Sequence, residues 1–82
     1  MPTVFRFGAF RVVIYLNDHP PAHVHVVAGS NSAIYELNCP AGPAELRHNF
    51  GLSSRELRQA REGLAGHVER LCRRWREIHG EF

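Results

Sequence analysis

The amino-acid sequence predicts an α+β fold, in which a small antiparallel sheet of three to five strands packs on one long C-terminal helix. Short runs rich in β-branched and aromatic residues, separated by turn residues, fill positions 1–48. Apolar residues then recur at spacings of three and four over positions 53–80, which is the period of a helix. We therefore expect a single domain over residues 1–82, with a strand-rich region at 1–48 and a helical region at 53–80.

The strand-rich region divides at its turn signals. We expect strands at residues 3–7, 10–16, 23–28 and 32–37, and a short extended piece at 44–48. Gly8-Ala9 and Gly29-Ser30-Asn31 mark turns, and Pro20-Pro21 stiffens the entry to the third strand. Because these connections are short, consecutive strands should pair as an antiparallel meander.

The helical region has a recognisable start and end. Ser53, with Glu56 three residues later, fits a capping box, and Gly80 fits a C-terminal stop. Gly63 and Gly66 lie off the apolar stripe, and each costs about 1 kcal/mol relative to alanine. We expect one long helix, kinked at these glycines at most, rather than two helices. The stripe consists of Leu57, Ala60, Leu64, Val68, Leu71, Trp75 and Ile78.

Strand side chains alternate between two faces, and one helix can cover only one of them. The face expected under the helix carries Phe10, Val12, Ile14, Leu16, Val24, Val26, Ala28, Ala33, Tyr35 and Leu37. The uncovered face should carry Arg11, Tyr15, His23, His25 and Glu36, with Val13, Val27 and Ile34 among them. A partly apolar open face is typical of an interface, so a homodimer that buries it is one expectation.

Composition narrows the function classes. The net charge of +2 is too mild to indicate nucleic acid by itself, although all ten basic residues are arginine. No apolar run approaches the roughly 20 residues that span a bilayer. The first residues lack an export signal, so we expect a cytoplasmic protein with no membrane partner. Cys39 and Cys72 are far apart in sequence, and we expect them to be reduced.

Three segments of the chain carry a recognisable pattern: MPTVFRFGAFRVVIYLNDHPPAHVHV, AIYEL and GLSSRELRQAREGLAGHVERLCRRW, which include the PPxHVHV core and the late Trp75. Together they resemble the bacterial domain-of-unknown-function 4160 family. The resemblance implies a small, uncharacterised protein, often encoded beside a second small protein and suspected of forming a toxin–antitoxin module with it. It implies no catalytic residues. Ala22 and Val27 depart from the family's usual proline and charged residue.

The stretch DHPPAHVHVV raises the question of a metal site. His23 and His25 place two imidazoles on one strand face, a spacing that suits chelation of zinc. His19, Glu36 or the more distant His48 could supply a third ligand. Because a lone histidine pair is more often exposed and metal-free, we predict neither a metal ion nor another cofactor.

Two functions remain open, and with them whether the protein is an enzyme. The first is a toxin–antitoxin-type module that binds a cognate small protein encoded nearby, with the His23/His25 face as its working surface. The second is a metal-independent ribonuclease with RNA as its substrate. In it His23 or His25 acts as general base, Glu36 or the other histidine assists, and Arg11 offsets phosphate charge. The binding candidates are Arg11, Tyr15, His19, Arg55 and Arg58.

Overall fold

The computed structural model describes residues 3–82 of the chain. Met1 and Pro2, which belong to the MPT start of the family resemblance, lie outside the described residues. The elements are β1 (Thr3–Phe7), β2 (Phe10–Val13), β3 (His23–Ala28), β4 (Asn31–Glu36), β5 (Glu45–Phe50), α1 (Ser54–Ala65) and α2 (Val68–His79). The architecture is α+β, as predicted.

The five strands form one sheet in the order β1-β2-β3-β4-β5, and each neighbouring pair is antiparallel. The predicted meander is therefore confirmed, with the extended piece near residue 45 present as a full strand. Two of its hairpins have two-residue loops that begin with a glycine at positive φ, Gly8 at 53° and Gly29 at 61°. Glycine adopts this conformation without steric cost, which explains why these turns lie at these positions.

β2 is shorter than predicted, because a turn interrupts it. The backbone N–H of Tyr15 donates to Asp18 Oδ2 over 2.9 Å, and the backbone N–H of Asp18 donates to the Tyr15 carbonyl over 3.1 Å. The chain thus leaves the sheet after Val13 instead of continuing to residue 16. As a result Leu16, predicted to lie in the core, is 77% exposed, and that prediction is wrong.

The prediction of one long helix is also wrong. α1 ends at Ala65 and α2 begins at Val68, with Gly66 and His67 between them. The His67 ring lies 4.3 Å from the ring of Phe5, a tertiary contact that holds the chain at the break. The predicted capping box at Ser53 and Glu56 is confirmed, and Gly80 ends α2 with φ of 86°. Within residues 3–82, no helix has the length and apolar character needed to cross a membrane.

Residues from the sheet and from both helices form one buried apolar cluster. It contains most of the predicted core: Phe10, Val12, Ile14, Val24, Val26, Ala33, Tyr35 and Leu37 from the strands and the segments that follow them, and Ala60, Leu64, Val68, Leu71 and Trp75 from the helices. Ala28, Leu57 and Ile78 pack against it while partly buried. Val13 is fully buried outside this cluster, because its side chain lies on the opposite face of the sheet.

Cys39 and Cys72 form a disulfide, so the expectation of reduced cysteines is wrong. Cys39 follows β4, and Cys72 lies in α2, 33 residues later in the sequence. The fold places the loop after β4 against the buried side of α2, which brings the two Cα atoms to 5.7 Å. Sequence spacing alone carries no sign of this approach.

Candidate functional site

Two predicted site residues, His23 and His25, lie beside Asp18, which was not predicted from the sequence. The Nε2 atoms of His23 and His25 lie 3.5 and 3.3 Å from the same carboxylate oxygen, Asp18 Oδ1. One potential metal-ligand atom from each residue lies within 4.8 Å of the other two. We call these three residues the histidine cluster.

The backbone turn after β2 positions Asp18. Its Oδ2 atom accepts the 2.9 Å hydrogen bond from Tyr15 N–H, which fixes the carboxylate plane. Oδ1 is left to face both imidazoles, and the side chain is only 12% exposed. The turn that Tyr15 and Asp18 form at the end of β2 therefore also places Asp18 in the histidine cluster.

His23 is buried, contrary to its expected display on the open face. Its side chain is 8% exposed, because the Trp75 indole from α2 lies 5.1 Å from the imidazole and Asp18 covers another side. The His23 Nδ1–H donates to the Pro21 carbonyl over 2.9 Å, since a carbonyl can only accept. Nε2 is then the atom that faces Asp18.

His25 forms the more accessible side of the cluster. Its side chain is 19% exposed, and the Tyr15 ring meets the imidazole edge-on at 4.7 Å. Tyr15, in the turn after β2, therefore lies close to His25, and His25 lies close to His23. The arrangement can bind a cation between three donor atoms, or it can move a proton between an imidazole and the carboxylate.

The remaining residues proposed as ligands or as catalytic groups lie elsewhere. Glu36 is opposite His23 in the sheet register, but its carboxylate faces Arg47 at 3.8 Å. His19 is exposed, and His48 stacks against Phe50 on β5. Arg11 lies on β2, opposite Val27 of β3. Among residues 3–82, the group of three that could hold a metal ion contains Asp18 rather than any of the predicted third ligands.

A second surface, at the far edge of the sheet, was not expected from sequence. β5 is an edge strand, and each of its six residues is exposed. Leu46 is 47% exposed and Phe50 is 55% exposed. We call β5 and the groove beside it the β5 edge. Its sequence signal was weak, because ELRHNF lacks the β-branched residues typical of strands.

A groove of about 640 Å³ runs between β5 and α1. Leu46 and Leu57 line it, together with Arg58 and Arg61. Glu45 also lines the groove, but Asn38 Nδ2 donates to its Oε1 over 2.7 Å. The predicted binding residue Arg58 is therefore part of this groove, while Arg55 is exposed on α1 outside it.

Tyr35 closes the inner side of the groove. Its hydroxyl donates to the Leu57 carbonyl over 2.8 Å, which ties β4 to α1. Burial raises the pKa of Tyr35, and the Arg61 guanidinium opposes that rise. The tyrosine is thus neutral near physiological pH and contributes a hydrogen-bond donor rather than a charge.

A family model described as "Domain of unknown function (DUF4160)" matches residues 9–76, a range that includes the histidine cluster and the β5 edge. No curated protein and no solved structure matches the chain.

Proposed function

Since the chain belongs to the DUF4160 family, a domain of unknown function, we propose that it is a protein-interaction module of toxin–antitoxin type. Its partner is a small protein encoded nearby, and an extended segment of that partner binds along the β5 edge. One observation carries the proposal: β5 is an edge strand with all six residues exposed, including the large apolar residues Leu46 and Phe50.

An exposed edge strand offers backbone N–H and C=O groups to another chain. Partner strands that add to such an edge obtain affinity from main-chain hydrogen bonds and specificity from pockets for alternate side chains. Leu46 is paired with Tyr35 and therefore lies on the helix side of the sheet. Ile34 is paired with His48, which places His48 on the opposite side. A partner strand would therefore meet apolar or aromatic side chains on both of its faces.

The groove defines the chemistry of the partner segment. Leu46 and Leu57 favour an apolar side chain, while Arg58 and Arg61 favour a carboxylate. Two arginines and one carboxylate, Glu45, line the groove, so its net charge is positive. We therefore expect a partner segment in which an acidic residue and an apolar residue face the groove.

A bulge in β5 favours a different protein over a second copy of this chain. Ile34 pairs with His48 and Tyr35 with Leu46, so Arg47 is the extra residue, and it faces Glu36 at 3.8 Å. Bulges and charged residues at an edge disfavour indiscriminate strand pairing. A partner whose strand fits this bulge would bind, whereas two copies of the bulged β5 would not align with each other.

Co-expression with the neighbouring small protein tests the proposal. We expect a complex whose affinity falls roughly tenfold or more, equivalent to about 1.4 kcal/mol, in the Leu46→Ser/Phe50→Ser double variant, measured by isothermal titration calorimetry. Leu16→Ser is the matched control, because Leu16 is also exposed but lies in the turn after β2. An equal loss of affinity in the control, or an isolated chain that is a dimer split by the double variant, would contradict the proposal.

The ribonuclease function ranks second. The observation in its favour is that two imidazoles share one carboxylate, an arrangement that could transfer protons. Against it, side chains that are 8% and 19% exposed leave little room for a ribose and its phosphate. RNA degradation by the purified wild type, lost in a folded His25→Ala variant, would favour the enzyme over the binding module.

A further inference from the structure

We propose that Asp18, His23 and His25 bind one divalent metal ion of the zinc class. The site lies at the start of β3 and includes none of the residues assigned to the β5 edge. It reverses the expectation that the histidine pair is metal-free, because that expectation did not include Asp18 as a ligand. The proposal stands or falls separately from partner binding.

The spacing of the donor atoms fits a metal ion. In a tetrahedral site with metal–ligand bonds of about 2.0–2.1 Å, neighbouring ligand atoms lie about 3.3–3.4 Å apart. Asp18 Oδ1 is 3.3 Å from His25 Nε2 and 3.5 Å from His23 Nε2. The remaining separation falls under the 4.8 Å that bounds the whole group. Two of the three separations are therefore already close to ligand spacing.

The placement of protons also calls for a cation. The His23 Nδ1–H is used by the Pro21 carbonyl, so in the neutral ring Nε2 carries a lone pair. That lone pair faces a carboxylate oxygen at a side chain only 8% exposed, and two acceptors facing each other in a buried place repel. A metal ion bound by both atoms would remove this repulsion.

Neighbouring residues orient His23 and Asp18 in the way that is usual around bound metal ions. Ligating imidazoles commonly donate their other ring N–H to a carbonyl or carboxylate, which fixes the tautomer. His23 does so through Pro21, and Asp18 Oδ2 is fixed by Tyr15 N–H. The Trp75 ring, fully buried, restricts rotation of the His23 imidazole. The donor atoms are therefore oriented before any ion arrives.

The donor set selects the class of metal. Two imidazole nitrogens and one carboxylate oxygen suit zinc and neighbouring transition metals, whereas calcium and magnesium prefer oxygen ligands alone. Three protein ligands leave one position of a tetrahedral ion for water. His25, the most exposed member of the cluster at 19%, marks the side on which that water would lie.

Metal titration of untagged protein tests the site. After treatment with EDTA, we expect the wild type to bind one zinc ion per chain and, with cobalt, to show the visible absorption of a tetrahedral ion. Changes around a metal site usually cost about 10–100-fold in affinity, so losing a ligand in Asp18→Asn or His25→Gln should cost more than about 100-fold. His19→Ala is the matched control, because His19 is exposed and adjacent to Asp18 in sequence.

Two results would overturn the proposal. The first is zinc binding that survives in Asp18→Asn or is lost equally in His19→Ala, because the ligand set would then be different. The second is failure of the wild type to bind zinc or cobalt. If both ligand variants are unfolded by circular dichroism, imidazole NMR of the wild type decides. Zinc must then shift the His23 and His25 resonances and leave those of His48 unchanged.

Discussion

Asp18 shows how much a single side chain can organise in so small a domain. One carboxylate oxygen caps the Tyr15 amide and ends β2, and the other faces two imidazoles. Strand alternation was sufficient to predict that His23 and His25 share a face, because their spacing of two is the strand period. It could not predict Asp18, whose direction depends on a turn, or the burial of His23, which depends on Trp75 from α2.

Tyr35 provides a test at the residue scale. Tyr35→Phe removes the hydrogen bond to Leu57 and should lower the free energy of unfolding by about 1 kcal/mol at pH 7, measured by urea denaturation. Burial raises the pKa of Tyr35 above its ordinary value of 10.0, so the unfolded chain loses this proton first. Wild-type stability should therefore fall as pH rises above about 10, and the variant should lack this part of the decline. If the free energy of unfolding falls equally with rising pH in the wild type and in Tyr35→Phe, this prediction is wrong.

At the scale of elements, the periodic spacing of apolar residues predicts which helix face is buried, but it does not predict the break between α1 and α2. The apolar stripe runs through both helices and was predicted correctly, because burial requires it. The sequence did not predict whether the helix is continuous. A glycine costs only about 1 kcal/mol in a helix, so a tertiary contact can decide between one helix and two. Here that contact is the one between His67 and Phe5.

The two glycines near the break should respond in opposite ways to alanine. A Cβ at Gly63 would collide with the Phe7 ring, whereas a Cβ at Gly66 would meet open space. We expect Gly63→Ala to destabilise the protein by about 1–3 kcal/mol through overpacking. Gly66→Ala, with φ of −86°, should be neutral or slightly stabilising. Thermal unfolding of both variants measures the difference, and similar melting temperatures would contradict the close approach of Phe7.

The start of α1 offers a second test at this scale. Ser53 Oγ accepts from the Glu56 amide over 3.1 Å, and Glu56 Oε1 accepts from the Ser53 amide over 2.9 Å. Ser53→Ala should cost about 1 kcal/mol of stability, the usual value for losing an N-cap. Ser54→Ala, one residue inside the helix and exposed, is the control and should change little. If Ser53→Ala and Ser54→Ala lower the free energy of unfolding equally in chemical denaturation, the cap does not stabilise the helix.

At the scale of the whole molecule, the sheet order and the core were predictable, and the cross-link was not. Short connections and alternating apolar residues indicate a meander with one buried face. The Cys39–Cys72 disulfide instead depends on where the loop after β4 meets α2. The β5 edge was also missed, because the exposure of Leu46 and Phe50 follows from their place at the sheet border rather than from their own pattern.

Reduction of the disulfide should weaken the whole domain. Cross-links of this kind commonly contribute about 2–4 kcal/mol, so the free energy of unfolding should fall by that amount in dithiothreitol. Cys39→Ala/Cys72→Ala should show the same loss without a reductant, and its stability should not respond to dithiothreitol. A wild type equally stable in oxidising and reducing buffer would contradict this expectation.

The consecutive strand order has a consequence for the chain during its synthesis. Each strand pairs with the strand made just before it, so residues 3–50 can complete the sheet before the helices leave the ribosome. Until residues 54–79 emerge, the face that carries Val12, Val24 and Tyr35 is open to water and to other nascent chains. The last third of the protein therefore covers this face only at the end of synthesis, and truncation before α1 should yield a sheet that aggregates.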